Sequence, residues 1–237
     1  MTSETLPIWK TIAATLRAEI AGGAYPTGGR LPTEAQLATR FGVNRHTVRH
    51  ALSDLIAAGE LRARRGAGVF VTARPTDYPI GTRTRFHENV LASGRTPSRR
   101  MLRLETRPAM VAEAEALALP EGAAVHLAEG ISLVDGQPVA LFRSAFPAAR
   151  FPGLPETLSR LNSVTATLAE LGVADYTRAQ TRISAIAADA VLALHLDLAA
   201  GAPVLHSVAV NVDPQGRPVE FGTTFFAGER VTLTIAP

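Results

Sequence analysis

Apolar residues recur at helical spacing along the first sixty positions. Ile8, Trp9, Ile12, Leu16 and Ile20 fall on one face of a helix that Pro7 opens and Gly22-Gly23 ends. Leu37, Ala38 and Phe41 mark a second apolar face. Thr33 stands where a cap is needed, Gln36 can complete a capping box, and Pro32 disfavours helix upstream. Gly42 suits a left-handed helix end, and Asn44 can cap a third helix. Val48, Ala51, Leu52, Leu55 and Ile56 then form a buried stripe that Gly59 closes. Only Gly42, Val43 and Asn44 separate the second and third helices, a length that fits a helix-turn-helix better than an antiparallel hairpin. From Leu61 to Val71 the pattern becomes two short strands around a glycine-rich turn, with Arg62, Arg64 and Arg65 on the ascending strand and tip. The order predicts a winged helix-turn-helix.

Arg45, His46, Arg49 and His50 project from the polar face of the third helix. A recognition helix offers its first turns to base edges in the major groove, and arginine suits guanine O6 and N7. A solvated charged face is the plainer reading, but this helix has no acidic residue before Asp54. The basic hairpin directly behind it is placed to reach phosphate or the minor groove.

The polar, proline-punctuated stretch Thr72-Ala73-Arg74-Pro75-Thr76-Asp77-Tyr78-Pro79 reads as an interdomain linker, taken as residues 75–82 between a domain at 1–74 and one at 83–237. The second region repeats itself. ALALPEGAAV at 116–125 resembles HLDLAAGAPV at 195–204, and VDGQPVALFRSAFPAAR at 134–150 resembles VDPQGRPVEFGTTFFAGER at 212–230. Each copy reads as helix, glycine turn, strand, Asp-containing turn and strand, with helices at 110–117 and 188–196. A further helix at 163–171, capped by Asn162 or Ser163, and an alternating strand at 176–186 lie between them. The pattern predicts an α+β domain of two similar halves sharing one antiparallel sheet.

Charge sharpens the division. Residues 1–76 carry ten Lys/Arg against five Asp/Glu, and residues 77–237 carry fourteen against sixteen. A basic module joined to a slightly acidic domain suits a DNA reader attached to a sensor. The chain has no cysteine, which excludes disulfide and thiolate chemistry. No apolar run approaches membrane length, and MTSETLPIWK does not read as a secretion signal, so a cytoplasmic protein without membrane contact is expected. His46, His50, His87, His126, His195 and His206 lack metal-site spacing with carboxylates, and no nucleotide loop, nucleophile elbow or paired acidic motif appears. No metal, cofactor or catalytic residue is expected. The start of a helix near Thr84-Arg85-Phe86-His87-Glu88 could hold an anion, with Thr84 as cap and Arg83 and Arg85 adding charge; an ordinary capped helix with surface arginines is the alternative.

GRLPTEAQLATRFGVNRHTVRHALSDL resembles the N-terminal domain of GntR-type bacterial transcription regulators, over about Ile8 to Val71. The resemblance implies DNA contact by Arg30, Asn44, Arg45, His46, Thr47 and Arg49, and by the wing at Arg64, Arg65 and Gly66. Asn44 stands where many members carry Ser or Thr. The second region resembles the effector-sensing UTRA domain of the HutC branch, a fold similar to chorismate lyase, through Phe86, Glu88, Gly94, Pro97, Asp135-Gly136-Gln137-Pro138-Val139, Ser163, Asp213, Gly216-Arg217-Pro218-Val219-Glu220 and Phe226. Within the branch, VNRHTVRHAL, YPIGTRTRFHENV, GVADY and FFAGERV look most like PhnF-type regulators of phosphonate utilisation. That resemblance implies a repressor acting as a homodimer on double-stranded operator DNA. It implies a small phosphonate- or phosphate-bearing effector held by Arg83, Thr84, Arg85, Phe86, His87, Arg143, Ser163, Thr165, Arg182 and Glu220. Arg143 and Arg182 lie in apolar stretches where a charge needs a partner, and Glu220 could supply it. Many sugar-phosphate-sensing relatives carry arginines where this chain has Gly130 and Ser132. The rival readings are a HutC-type repressor responding to a sugar phosphate or an amino-acid catabolite, a lyase-like enzyme, and a ligand-free architectural DNA-binding protein.

Overall fold

A computed structural model of the chain describes residues 7–26, 28–64, 66–72 and 75–235. The chain divides into two compact units, Met1–Arg74 and Pro75–Pro237.

The first unit holds three helices, α1 (Ile8–Ala21), α2 (Glu34–Phe41) and α3 (Arg45–Ala57), and a hairpin of β1 (Leu61–Arg64) and β2 (Gly68–Val71). Their ends follow local chemistry. Thr33 and Gln36 form a capping box on α2: the Gln36 amide donates to Thr33 Oγ1 at 3.3 Å and the Thr33 amide donates to Gln36 Oε1 at 2.8 Å. Gly42 ends α2 at φ 64°, a left-handed position that glycine adopts without Cβ strain. Asn44 caps α3. Leu16, Leu37, Val48, Leu55 and Leu61 meet in one core, each side chain contributing about 1.5–3 kcal/mol by leaving water. The chain before α2 adds a third edge to the hairpin, where Arg30 faces Phe70 and the Leu31 amide donates to the Val69 carbonyl at 2.8 Å.

The second unit is built on a six-stranded antiparallel sheet. Its strands are β4 (Pro97–Pro108), β5 (Ala124–Val134), β6 (Gln137–Pro147), β7 (Thr177–Ala187), β8 (Pro203–Val212) and β9 (Pro218–Ala227), in the order β4-β5-β6-β9-β8-β7. That order is the sequence repeat in space. One half supplies β4, helix α5 (Val111–Ala116), β5 and β6; the other supplies β7, helix α8 (Ala190–Leu196), β8 and β9. The halves join where β6 pairs with β9. Arg143 and Thr223 are 80 residues apart, the same offset as Pro138 and Pro218, and they face each other across that seam. They therefore mark a pseudo-two-fold axis. The expected helix at 110–117 is one residue shorter at each end, and that at 188–196 starts two residues later.

The segment between the halves forms α6 (Leu154–Leu161) and α7 (Val164–Glu170), which pack Leu154, Leu158 and Leu168 against Phe146 and Phe151. Ser163 caps α7, its Oγ accepting from the Ala166 amide at 3.3 Å. Helix α4 (Phe86–Ala92) precedes the sheet. The stretch expected to be a linker is partly a strand. Residues 76–79 are strand β3 (Thr76–Pro79), paired in parallel with β10 (Val231–Thr234), and Tyr78 packs with Val231 and Phe226. Ala73 and Arg74 lie outside the described residues.

The turn between β8 and β9 is held by Asp213, whose side chain is almost fully buried. Its carboxylate accepts from the Gln215 amide, the Arg217 amide and Arg217 Nε, each at 2.9 Å, and from Arg150. Burial raises the carboxyl's pKa, but the Arg217 amide and the two guanidinium groups outweigh it and hold the value down to about 2. A folded pKa below the ordinary 3.8 adds stability that is present above about pH 4 and lost as pH falls toward 2. Asp213→Asn should therefore lower the melting temperature of the full chain more at pH 7 than at pH 3; an equal loss at both would show that the charge is not what matters.

Candidate functional site

In the first unit, α3 carries Arg45 and His46 exposed on its first turn. Asn44 Oδ1 accepts from the Thr47 amide at 2.9 Å and from Thr47 Oγ1 at 3.0 Å, so both side chains build the cap that fixes the start of this helix. Arg49 differs from expectation. It has an acidic partner, Glu34 at the start of α2, at 2.7 Å. The sequence hides this pair because its members sit on different helices. The Arg49 hydrogen bond, the largest influence, lowers the pKa of Glu34. His50 does not share the face of Arg45; its ring stacks on Trp9 of α1 at 4.1 Å. On the hairpin, Arg62 and Arg30 both stand opposite Phe70, and Arg64 lies over the Phe70 ring at 5.0 Å. Gly68 has φ 113°, and the Arg30 guanidinium occupies the space a Cβ would need, 2.8 Å from Nε. Gly66 has φ 76°, which fits the turn. Arg65 lies outside the described residues.

The second unit encloses a cavity of about 520 Å3 on one face of the sheet. Strand residues alternate between faces. On β6, Ala140, Phe142 and Ser144 line the cavity; on β8, Ser207, Ala209 and Asn211; on β9, Glu220, Gly222, Thr224 and Phe226. Arg99 of β4 and Arg178 of β7 enter from the two outer strands. Thr84, Arg85, Phe86 and His87 border it beside α4, and Ser163 and Thr165 border it at the start of α7.

Seven of the expected effector residues are thus gathered: Thr84, Arg85, Phe86, His87, Ser163, Thr165 and Glu220. Three are not. Arg143 falls between Phe142 and Ser144 in the alternation, so it faces away from the cavity and pairs with Glu129. Arg182 stands opposite Val208, whose neighbours Ser207 and Ala209 line the cavity, so it too lies on the far face. Arg83 is exposed and pairs with Asp175 at 2.5 Å. Glu220 is not a partner for Arg143 or Arg182. Its carboxylate accepts from Ser144 Oγ at 2.6 Å and Asn211 Nδ2 at 2.7 Å. Nor does Thr84 cap α4: the N-cap is Arg85, and the Thr84 hydroxyl closes a turn with Gly81 instead. With only seven residues in α4, charge at this end of the cavity comes from the arginines, not from the helix.

Arg99 and Arg178 were not anticipated, although the repeat contained the signal. The offset of 79 residues relates Arg99 to Arg178 and Ser132 to Asn211, and in the sheet Arg99 faces Ser132 as Arg178 faces Asn211. Each half sends one arginine into the cavity. Arg99 lies over the Phe142 ring at 4.7 Å. Burial lowers its pKa, opposed by the charge of Glu220. Arg85 lies over the Tyr176 ring at 4.9 Å and pairs with Asp175 at 3.0 Å. Tyr176 shares a hydrogen bond with Thr165 at 2.9 Å. Burial pushes the Tyr78 hydroxyl up to about 12 and raises that of Tyr176, so both stay protonated at neutral pH.

Gly130 has no room for a side chain. A Cβ there would lie 2.7 Å from Phe142 Cζ and 2.8 Å from the Arg100 carbonyl oxygen. Phe142, bearing Arg99, fills that side.

A winged helix-turn-helix joined to a sheet domain with a polar, arginine-bearing cavity is the architecture of a ligand-sensing transcription regulator. Residues 9–71 match the model described as bacterial regulatory proteins, gntR family, and residues 92–232, more than half of the chain, match the UTRA domain. The chain belongs to the GntR family and carries a UTRA domain; it is a DNA-binding regulator, not an enzyme. It is 39% identical to an uncharacterized HTH-type transcriptional regulator of Rhizobium meliloti, covering 96% of this chain and 94% of the relative. It is 34% identical to the "Probable transcriptional regulator PhnF" of Escherichia coli, again over 96% and 94%. The crystal structure of PhnF from Mycobacterium smegmatis superposes with a TM-score of 0.68 at 28% identity, covering 95% of this chain and 98% of that one. Among the described residues no helix is long and apolar enough to cross a membrane.

Gly130→Ala forces a Cβ against a backbone oxygen that cannot give way. It should cost about 1–3 kcal/mol of stability by overpacking. Thermal melting of the full chain would measure it; a variant as stable as the parent would show that Phe142 is loosely held.

Proposed function

We propose that this chain represses genes of phosphonate uptake or metabolism and is released from its operator by a small phosphonate- or phosphate-bearing effector. The observation that carries this reading is the placement of Arg85, Arg99 and Arg178 around one cavity. Arg85, although it pairs with Asp175, joins Arg99 and Arg178 around a cavity whose lining carboxylate is Glu220, and this excess of guanidinium groups suits an anionic ligand. The resemblance to PhnF-type regulators supports phosphonate as the anion. Two copies of the chain would bind as a homodimer, because two-fold symmetry matches palindromic half-sites spaced by whole helical turns. In each copy, Arg45 and His46 would reach base edges. Arg49 would be oriented by Glu34, and Asn44 and Thr47 would hold the helix start against the backbone. Arg30, Arg64, Arg65 and Gly66 would follow phosphate or the minor groove. Effector binding would favour one arrangement of the DNA-binding units over another.

Two measurements test this. Arg45→Ala should weaken operator binding by ~1–3 kcal/mol and change base preference in mobility-shift assays; undiminished binding would remove Arg45 from the interface. Ethylphosphonate or inorganic phosphate should raise the melting temperature of the full chain and displace operator DNA, because a ligand that binds only the folded state stabilises it by mass action. Arg99→Ala should abolish most of that shift. Equal shifts in both proteins, or none in either, would defeat the anionic reading; a response confined to sugar phosphates would keep the sensor and replace its ligand.

A further inference from the structure

The cavity's two halves are matched in their arginines but not in their floor. The row Arg99, Ser132, Ala140 crosses β4, β5 and β6 in register, and the row Arg178, Asn211, Glu220 crosses β7, β8 and β9. The repeat relates Ala140 to Glu220. One half therefore presents a methyl group where the other presents a carboxylate.

That carboxylate is 8% exposed and Asn211 is 6% exposed, yet both line the cavity. Glu220 draws on Ser144 and Asn211 for its hydrogen bonds, both neutral donors, and no salt bridge to it occurs among the described residues. Asn211 commits its amide nitrogen to Glu220, which leaves Oδ1 buried with no hydrogen-bond partner. A carboxylate has room for about four donors. Here it and an unsatisfied amide oxygen stand side by side, and buried acceptors left unmatched are costly. The opposite deficit exists elsewhere in the same cavity, where Arg85 Nε and Arg178 Nε are buried donors with no hydrogen-bond partner.

We infer that the effector is a zwitterion. Its anionic group meets the arginines, and a protonated amine meets Glu220 and Asn211 Oδ1. An ammonium group brings three donors and a compensating charge, which is the complement of a carboxylate next to an amide oxygen. This rests on the reading of the cavity as an anion-binding effector site, and it narrows the class to small amino acids of phosphonic or phosphoric type.

The test is calorimetric titration of the full chain with three probes of one size: 2-aminoethylphosphonate, 2-hydroxyethylphosphonate and ethylphosphonate. The aminated probe should bind at least about tenfold more tightly than the ethyl one, as expected for a hydrogen bond to a charged group. Glu220→Gln keeps the shape and the Ser144 contact but removes the charge, and the preference should fall to within about threefold. Equal affinity for the amino and ethyl probes in the parent protein overturns the inference while leaving the anion site intact, and this comparison does not depend on any variant folding. A stronger response to the hydroxyl than to the amine makes the acceptor pair a hydroxyl site and also overturns it. If none of the three binds, the inference and the anionic reading fall together.

Discussion

Side chains on a strand alternate between its two faces, and the lining of the cavity in the second unit depends on that alternation across the β6–β9 seam. The even-numbered residues from Ala140 to Ser144 and from Glu220 to Phe226 look into the cavity, and the residues between them look away. A shift of one residue in register would exchange every one of these positions. The seam is secured on the far face by apolar packing: Leu141, like Ile131 on the neighbouring strand, is fully buried against Leu192 and Leu196 of α8. Core packing on one side of the sheet thus decides which polar groups are offered on the other. This explains how a row of Ser, Asn, Glu and Arg can be assembled on buried strands, where such groups would otherwise be disfavoured.

Most of the first unit was legible in the sequence because its signals are local. Thr33 and Gln36 sit within one turn, as do Asn44 and Thr47, and the apolar stripes have helical period. What was missed there is tertiary: the Arg49–Glu34 pair and the His50–Trp9 stack each join residues from different helices. In the second unit the repeat disclosed the two halves and the shared sheet. Strands β3 and β10 were invisible, because a four-residue parallel pairing between the two ends of a domain leaves no periodic trace. Helix α6 leaves little periodic trace either, since it is only eight residues long and its apolar face is short.

The candidate site was legible in part for a similar reason. Residues at loop and helix starts, from Thr84 to His87 and from Ser163 to Thr165, keep their place whatever the strand register. Arg143 and Arg182 lie on strands, where an error of one position changes the face. Applying the repeat to the outer strands would have replaced them with Arg99 and Arg178. Duplication was therefore more informative than family matching at these two positions, because it carries the geometry of the sheet with it.

The pseudo-two-fold axis through Arg143 and Thr223 has a consequence for how a ligand is read. A cavity with true two-fold symmetry would accept a molecule equally well in either direction and would report presence alone. The differences between Ala140 and Glu220 and between Ser132 and Asn211 remove that degeneracy, so head and tail of a guest would be distinguishable to the host. A duplicated domain can in this way gain a sense of polarity from a few asymmetric side chains while both copies keep the same strand pairing. Direction is then stored as a difference between twins, and it can be rewritten without disturbing the strand pairing that the twins share.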